Sequence, residues 1–117
     1  METFLETVHP EVVWISSGMF PDLQSTYSGH DGIREFWRAF LEPWETLEIE
    51  VEELHELPPD SVLVLMRFHA RGRQGMEVDL RFINHLLFRE GKLVRFRSWA
   101  EWDDAISELG IEDPSGD

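Results

Sequence analysis

The sequence predicts an α+β fold, in which one main helix precedes a run of long antiparallel strands. Five apolar residues recur at helical spacing in the first half of the chain: Ile33, Phe36, Trp37, Phe40 and Leu41. Four later segments alternate apolar and polar residues with a period of two, and short turns separate them. With 117 residues the chain is long enough for one domain.

The N-terminal part is predicted to hold a short helix, a short strand and a loop. Thr3 and Glu6 fit a capping box, and Pro10 is expected to stop this helix early. Residues 11–16 then read as a strand, and residues 17–29 are rich in turn formers.

The main helix and a four-stranded meander are predicted to follow. Asp31 falls in the first helical turn, where the helix dipole favours a carboxylate, and Pro43 ends the helix. Strands are predicted over residues 45–54, 61–72, 78–88 and 92–102, with turns at the sequences PPD, RQG and EGK.

The C-terminus is predicted to add one short helix. Asp103 or Asp104 would cap this helix and Gly110 would end it. We expect a single domain over residues 1–112 and a disordered tail over residues 113–117.

Alternation along the strands separates an inward face from a mixed outward face. Eight of the ten Lys and Arg residues lie between Arg67 and Arg97, and they are expected to meet a row of glutamates between Glu45 and Glu56. The apolar outward residues form a patch too large to leave in water, which predicts a homodimer, although scattered surface leucines are also common. The residues of this predicted interface are Leu63, Leu65, Ile83, Leu87, Leu93 and Trp99.

Composition excludes several classes of protein. The net charge of −14 argues against nucleic-acid binding, and no apolar run is long enough to span a membrane. The chain has no cysteine, which excludes disulfides and thiolate ligands and fits a cytoplasmic protein. The acidic N-terminus does not resemble a signal peptide.

One polar residue interrupts an apolar face of the predicted third strand of the meander. Asn84 shares its face with Val78, Leu80, Phe82, Leu86 and Phe88. A buried carboxamide without partners costs about 1–3 kcal/mol, so the protein or a ligand must satisfy it.

The order of these elements resembles the nuclear-transport-factor-2-like superfamily, and more closely its branch of SnoaL-type polyketide cyclases and ketosteroid isomerase. The resemblance rests on His9-Pro10-Glu11 with Trp14, on the run from Gly29 to Ile33, on Gly72 to Gly75 and on the sequence FREGKLVRFRSW. It implies a cone-shaped roll, in which a strongly curved antiparallel sheet wraps round the main helix and leaves a deep apolar pocket. The N-terminal helix is shortened relative to that family.

The resemblance also implies pocket residues. Asn84 falls where ketosteroid isomerase has the acid that donates to the substrate oxyanion. The expected lining is Trp14, Tyr27, Phe36, Trp37, Phe40, Met66, Phe68, Leu80, Phe82, Asn84, Phe96 and Ser98. The catalytic aspartate of that enzyme would lie near Ile15 or Ser16, where this chain has no base, and its tyrosine donor belongs to the shortened helix.

Catalytic candidates are therefore few. Asn84 could polarise a carbonyl, with Asp103, Asp104 or His30 as the base. Asp79 and Arg81 match the residue types with which limonene epoxide hydrolase activates water, but strict alternation points both outward unless a bulge intervenes. No spacing suggests a metal site, and no cofactor is expected.

Three hypotheses of function follow. The first is a SnoaL-like domain that binds a small apolar molecule in its pocket. The second is a cofactor-free isomerase, cyclase, dehydratase or epoxide hydrolase acting on a carbonyl-type substrate. The third is a non-catalytic dimerisation module whose cavity is filled by its own side chains.

Overall fold

Six strands form one curved, unclosed sheet in the computed structural model, which describes residues 2–16 and 25–114. The strands are β1 (Val8–Ile15), β2 (Thr26–Ser28), β3 (Trp44–Leu57), β4 (Ser61–Gly72), β5 (Glu77–Arg89) and β6 (Lys92–Trp99). Their order across the sheet is β2-β1-β6-β5-β4-β3. Residues 17–24 of the expected loop and the last three residues of the expected tail lie outside the described residues. The prediction of a loop over residues 17–29 is wrong where β2 forms, because this short strand pairs with β1.

The sheet is antiparallel except where β1 pairs in parallel with β6. The curved antiparallel sheet that the sequence predicted is confirmed, and the β1–β6 pair adds one parallel contact to it. Alternation within a strand reports which face a side chain occupies, but it does not report the direction of the neighbouring strand.

Helix α1 (Glu2–Leu5) is a single turn that begins before Thr3, so the predicted capping box is absent. Thr7 instead donates its hydroxyl hydrogen to the carbonyl oxygen of Phe4, at 2.6 Å.

Pro10 lies inside strand β1 rather than at the end of a helix. The pairing of β1 with β6 shifts register between Val8 and Val13, and such irregularities accommodate a residue without an N–H group.

Helix α2 (Gly29–Leu41) forms as predicted and buries Ile33, Phe36 and Phe40 against the inner face of the sheet. Asp31 lies in its first turn. The helix ends two residues before Pro43, which cannot supply the next backbone donor. The main apolar core therefore lies between α2 and the sheet.

Helix α3 (Trp102–Leu109) builds a second apolar cluster on the outer face of the same sheet. It buries Leu63, Ile83 and Trp99, and Ala105 of the helix is itself fully buried. Half of the six residues that predicted a homodimer interface are thus buried beneath a helix of the same chain. The homodimer itself stays a prediction.

Helix α3 is also held by polar contacts. Glu108 accepts hydrogen bonds from the indole of Trp99, at 2.6 Å, and from the guanidinium of Arg97. Trp102 donates to Asp113 at 3.0 Å, so the chain is still docked at the start of the expected tail. Gly110 ends the helix with a φ of +67°, as predicted.

A bulge in β6 reverses the expected orientation of Leu93. Leu87 pairs with Arg95 but Phe88 pairs with Leu93, so one extra residue of β6 lies between the two pairs. Leu93 therefore packs in the inner core, and its prediction as an outward interface residue is wrong.

Charged side chains form ion pairs on the outer face. Arg81 binds Glu52 at 2.6 Å, which confirms that a basic residue meets the glutamate row. Arg67 binds Asp79, also at 2.6 Å. Arg67 holds the pKa of the Asp79 carboxyl below its usual value.

Among the described residues no helix is both long and apolar enough to cross a membrane.

Candidate functional site

A cavity of about 240 Å³ lies between α2 and the inner face of the sheet. Five strands, α2 and the N-terminal turn contribute to its wall. The lining residues are Phe4, Trp14, Ser16, Phe36, Trp37, Phe40, Ile49, Met66, Phe82, Asn84, Leu86, Leu93, Phe96 and Ser98. No described lining residue carries an ionisable side chain, so the surface is apolar apart from a few amide, hydroxyl and indole groups.

Aromatic rings form one wall of the cavity. Trp14 of β1 stacks on Phe96 of β6, with ring centroids 3.8 Å apart and planes within 13° of parallel. Trp37 meets Trp14 edge-on at 6.0 Å and Phe36 edge-on at 5.3 Å. The parallel pairing of β1 with β6 produces this arrangement, because it places Trp14 directly beside Phe96.

Two polar residues of the lining lie side by side on neighbouring strands. Asn84 of β5 is opposite Ser98 of β6 in the register, and only 1% of Asn84 is exposed. Ser98 donates its hydroxyl hydrogen to Oδ1 of Asn84 at 2.5 Å, while Nδ2 of Asn84 donates to the sulfur of Met66 at 3.0 Å. A thioether is a weak acceptor, so the carboxamide is only partly satisfied on its donor side.

A second donor in the wall has no partner among the described residues. The indole Nε1 of Trp14 is buried and makes no hydrogen bond there. A buried donor without a partner destabilises the folded protein by about 1–3 kcal/mol. Such donors are unusual in a well-packed wall.

The mouth of the cavity lies between α1 and the edge strand β3. Phe4 of α1 is 37% exposed and Ile49 of β3 is 42% exposed, although both side chains also line the cavity. Phe4 packs edge-on against Trp37 at 6.4 Å, so the N-terminal turn forms one lip of this opening.

The structure brings together most of the residues that the sequence predicted for the pocket. Those that line the cavity are Trp14, Phe36, Trp37, Phe40, Met66, Phe82, Asn84, Phe96 and Ser98. Even-numbered residues of β5 from Phe82 to Leu86 face the cavity, because β4 and β5 pair without a register shift.

Three predicted lining residues lie elsewhere. Tyr27 is buried behind Phe36, with ring centroids 5.5 Å apart. Phe68 is fully buried between Phe40 and Phe82, so it fills the core instead of bordering the open space. Leu80 is 41% exposed, because β5 begins before the first residue that pairs with β6.

Sequence reasoning missed five lining residues: Phe4, Ser16, Ile49, Leu86 and Leu93. Leu86 shares the parity of Asn84, and Ile49 shares a face with Leu47, so the alternation already contained a signal for both. Leu93 could not be predicted as a lining residue, because the bulge in β6 does not show in the alternation of apolar and polar residues.

The catalytic candidates other than Asn84 lie outside the cavity. The Nε2 atom of His30 lies 2.8 Å from the carbonyl oxygen of Val8, at the start of α2. Asp103 and Asp104 are exposed in the first turn of α3, whose cap residue is Glu101, so neither is the predicted cap. Asp79 and Arg81 point outward and form ion pairs.

No metal centre is indicated by the described side chains. Residues 2–16 and 25–114 contain no group of three or more His, Asp or Glu side chains placed to hold an ion. The half-buried His85 also lies outside the cavity, and its pKa is lowered by burial and by the nearby Arg95.

Comparison with solved structures places this geometry among known folds. The structure of TerC co-crystallised with polyporic acid is 28% identical, covers 92% of this chain and 83% of that chain, and has a TM-score of 0.75. A SnoaL-like polyketide cyclase from Jannaschia is 17% identical, covers 99% of this chain and 78% of that one, and has a TM-score of 0.71.

A Mycobacterium tuberculosis protein in complex with estradiol-17β-hemisuccinate is 18% identical, covers 87% of this chain and 82% of that one, and has a TM-score of 0.71. At these identities the last two likenesses show the fold alone. A search of curated proteins found no match.

The sequence itself matches the SnoaL-like domain over residues 1–96, which is most of the chain. The structure agrees with this match, because its curved sheet wrapped round α2 is the cone-shaped roll of nuclear-transport-factor-2-like and ketosteroid-isomerase-like proteins. The chain therefore belongs to the family of SnoaL-like domains.

Proposed function

We propose that this protein binds a small, uncharged, hydrophobic molecule in the cavity between α2 and the sheet. The observation that carries the proposal is a largely apolar cavity with one buried carboxamide, Asn84, in its wall. Sites for small molecules are mostly apolar and use a few placed polar groups to fix the orientation of the ligand.

The aromatic wall suits a flat ligand. Trp14 and Phe96 present ring faces or edges from the strands, and Phe36 and Trp37 present theirs from α2. Ring pairs of this kind add about 0.5–1.5 kcal/mol beyond the burial of their area, so a ligand with an aromatic or conjugated ring would gain most.

Asn84 supports a ligand that carries a hydroxyl or carbonyl group. Its Oδ1 atom is already engaged by Ser98, whereas Nδ2 faces only a weak acceptor, the sulfur of Met66. A ligand oxygen would be a better partner for the amide hydrogens than the thioether is. The polar end of the ligand would then point toward Asn84.

The ligands of two similar proteins support a compound with carbon rings and oxygen substituents. TerC was co-crystallised with polyporic acid and the Mycobacterium tuberculosis protein with a hemisuccinate of estradiol. Both compounds contain carbon rings and oxygen substituents. The described lining of this cavity offers no ionisable group to act as a general base, so binding is favoured over proton transfer.

Calorimetric titration with 1-naphthol tests the proposal, because this probe has two fused rings and a single hydroxyl. Leu86→Trp should weaken binding at least tenfold, since Leu86 lines the cavity and the larger ring would occupy it. Leu87→Trp is the matched control: it is the next residue, is also half-buried, and is not among the lining residues.

The proposal fails if the unmodified protein binds no 1-naphthol, or if both tryptophan variants weaken binding equally. Native mass spectrometry of protein purified from its host complements this test, since it reports a retained ligand and the oligomeric state together.

A homodimer and a cytoplasmic location stay predictions from the sequence. Leu65 and Leu87 are the members of the expected interface that are not fully buried within the chain, so the dimer would need additional surface. Sedimentation velocity tests the dimer directly.

A further inference from the structure

An exposed apolar strip runs along the inner face of β3. Its three residues are Ile49, Val51 and Leu54, with exposed fractions of 42%, 58% and 56%. Strand β3 is the last strand of the sheet, and no described strand pairs with its free edge. The described part of the chain therefore leaves these three apolar side chains partly uncovered at the edge of the sheet.

The strip continues the floor of the cavity. Val51 is opposite Met66, which is opposite Phe82, and the last two both line the cavity. Leu54 is likewise opposite Val64, which is opposite Asn84. Directly opposed residues share a face of the sheet. An apolar surface thus runs from the cavity through Met66 of β4 to Val51 of the edge strand.

Ile49 joins the two regions, because it lines the cavity and is also partly exposed at its mouth. From Ile49 to Leu54 the strand advances about 16 Å at roughly 3.3 Å per residue. A flexible apolar chain leaving the cavity at Ile49 would meet this strip first.

The enclosed volume is small for a complete ligand. A cavity of about 150 Å³ holds one benzene molecule, and pockets for drug-sized ligands measure about 300–1,000 Å³. The present cavity of about 240 Å³ encloses little more than one or two rings. A larger ligand must therefore extend out of the mouth.

The negative charge around the strip argues against an anionic occupant. Glu48 and Glu50 are exposed on the opposite face of the same strand, and the chain carries a net charge of −14. An anionic tail would be repelled, and so would a second copy of this chain brought edge to edge against β3.

We propose that the ligand is an elongated, neutral amphiphile, with its oxygen-bearing ring near Asn84 and an apolar tail lying over Ile49, Val51 and Leu54. This inference rests on the proposed function and extends it from the cavity to the edge strand. It assigns a site for the tail and predicts that affinity grows with tail length.

A series of 4-alkylphenols tests the inference by calorimetric titration, with ethyl, butyl, hexyl and octyl tails. Full burial of a methylene contributes about 0.8 kcal/mol, or roughly fourfold in affinity, and the half-exposed strip should give about twofold. The dissociation constant should therefore fall steadily from ethyl to octyl in the unmodified protein.

The double substitution Val51→Ser with Leu54→Ser should flatten this dependence for the hexyl and octyl compounds and leave 4-ethylphenol binding unchanged. Met76→Ser is the matched control, because Met76 is 67% exposed in the turn before β5, away from the strip. If the double variant does not fold, the single variants Val51→Ser and Leu54→Ser are titrated in its place.

The outcomes separate the two proposals. If 4-ethylphenol binds but the serine variants keep the full dependence on tail length, the tail site is wrong and the cavity proposal stands. If no member of the series binds, the cavity proposal fails and the tail site fails with it. If sedimentation velocity shows that the serine variants dissociate a dimer while the dependence on tail length is unaltered, a second copy covers the strip and the inference is overturned.

Discussion

Ser98 donates its hydroxyl hydrogen to Oδ1 of Asn84 across two neighbouring strands, at 2.5 Å. The two residues are directly opposite in the register of β5 and β6, and both are buried. This pair satisfies the acceptor side of the carboxamide inside the protein and leaves the donor side facing Met66. The carboxamide of Asn84 is thus held in one orientation before a ligand binds.

Removal of the serine hydroxyl should destabilise the protein. Ser98→Ala leaves Oδ1 of Asn84 without its donor, which costs about 1–3 kcal/mol in a buried site. Asn84→Leu combined with Ser98→Ala should recover much of this loss, because both partners are then apolar. Urea unfolding of the single and double variants measures the coupling. Additive losses would show that the two side chains act independently.

The carboxamide should contribute to ligand affinity only when the ligand carries an oxygen. Asn84→Leu is expected to weaken binding of 1-naphthol about tenfold, since a hydrogen bond contributes about 0.5–1.5 kcal/mol. Binding of naphthalene, which has no hydroxyl, should change less than threefold. Fluorescence titration of both compounds measures the difference. Equal losses for both would assign Asn84 a purely structural role.

The docking of α3 should weaken at acidic pH. Hydrogen bonds from Trp99 and Arg97 hold the pKa of the Glu108 carboxyl below its usual value. A lowered pKa in the folded state stabilises the protein above the ordinary value of 4.5, and this contribution is lost as the pH falls through the lowered pKa.

The melting temperatures of the unmodified protein and of Glu108→Gln should therefore differ most near neutral pH and converge at acidic pH. Glu112→Gln, at an exposed residue just beyond the helix, is the control and should show no such convergence. A difference between the unmodified protein and Glu108→Gln that persists unchanged to acidic pH would contradict an ionic role for Glu108.

Replacement of Gly110 should destabilise the end of α3. Its φ of +67° lies in the left-handed region, where a side chain costs about 1–2 kcal/mol. Gly110→Ala should lower the free energy of unfolding by that amount in urea titrations. Gly75→Ala is a useful comparison, because Gly75 also has a positive φ, of +90°, but lies in a turn away from the helix. An unchanged stability for Gly110→Ala would mean that α3 ends differently in solution.

The sequence predicted the inner face of the sheet well, and the reason is local. Along β4 and β5 the alternation is unbroken and the pairing has no register shift, so the parity of Asn84 carried over directly to its position in the cavity. Helix α2 could be predicted equally well, because its apolar stripe and Pro43 both lie within one segment of sequence.

The features that sequence missed depend on contacts between distant segments. The bulge in β6 turned Leu93 inward, and the docking of α3 covered Leu63, Ile83 and Trp99. The pattern showed that these residues needed cover, but a helix of the same chain and a second subunit satisfy that need equally well.

The parallel contact between β1 and β6 has a consequence for folding during synthesis. It joins residues near the start of the chain, such as Trp14, to Phe96. Strand β6 lies in the middle of the sheet, between β1 and β5. A ribosome must therefore synthesise the chain through Phe96 before β1 gains its inner neighbour, and such long-range pairing slows folding. Until then the aromatic side chains of β1 and α2 stay exposed to solvent. In that state they can bind chaperones or promote aggregation.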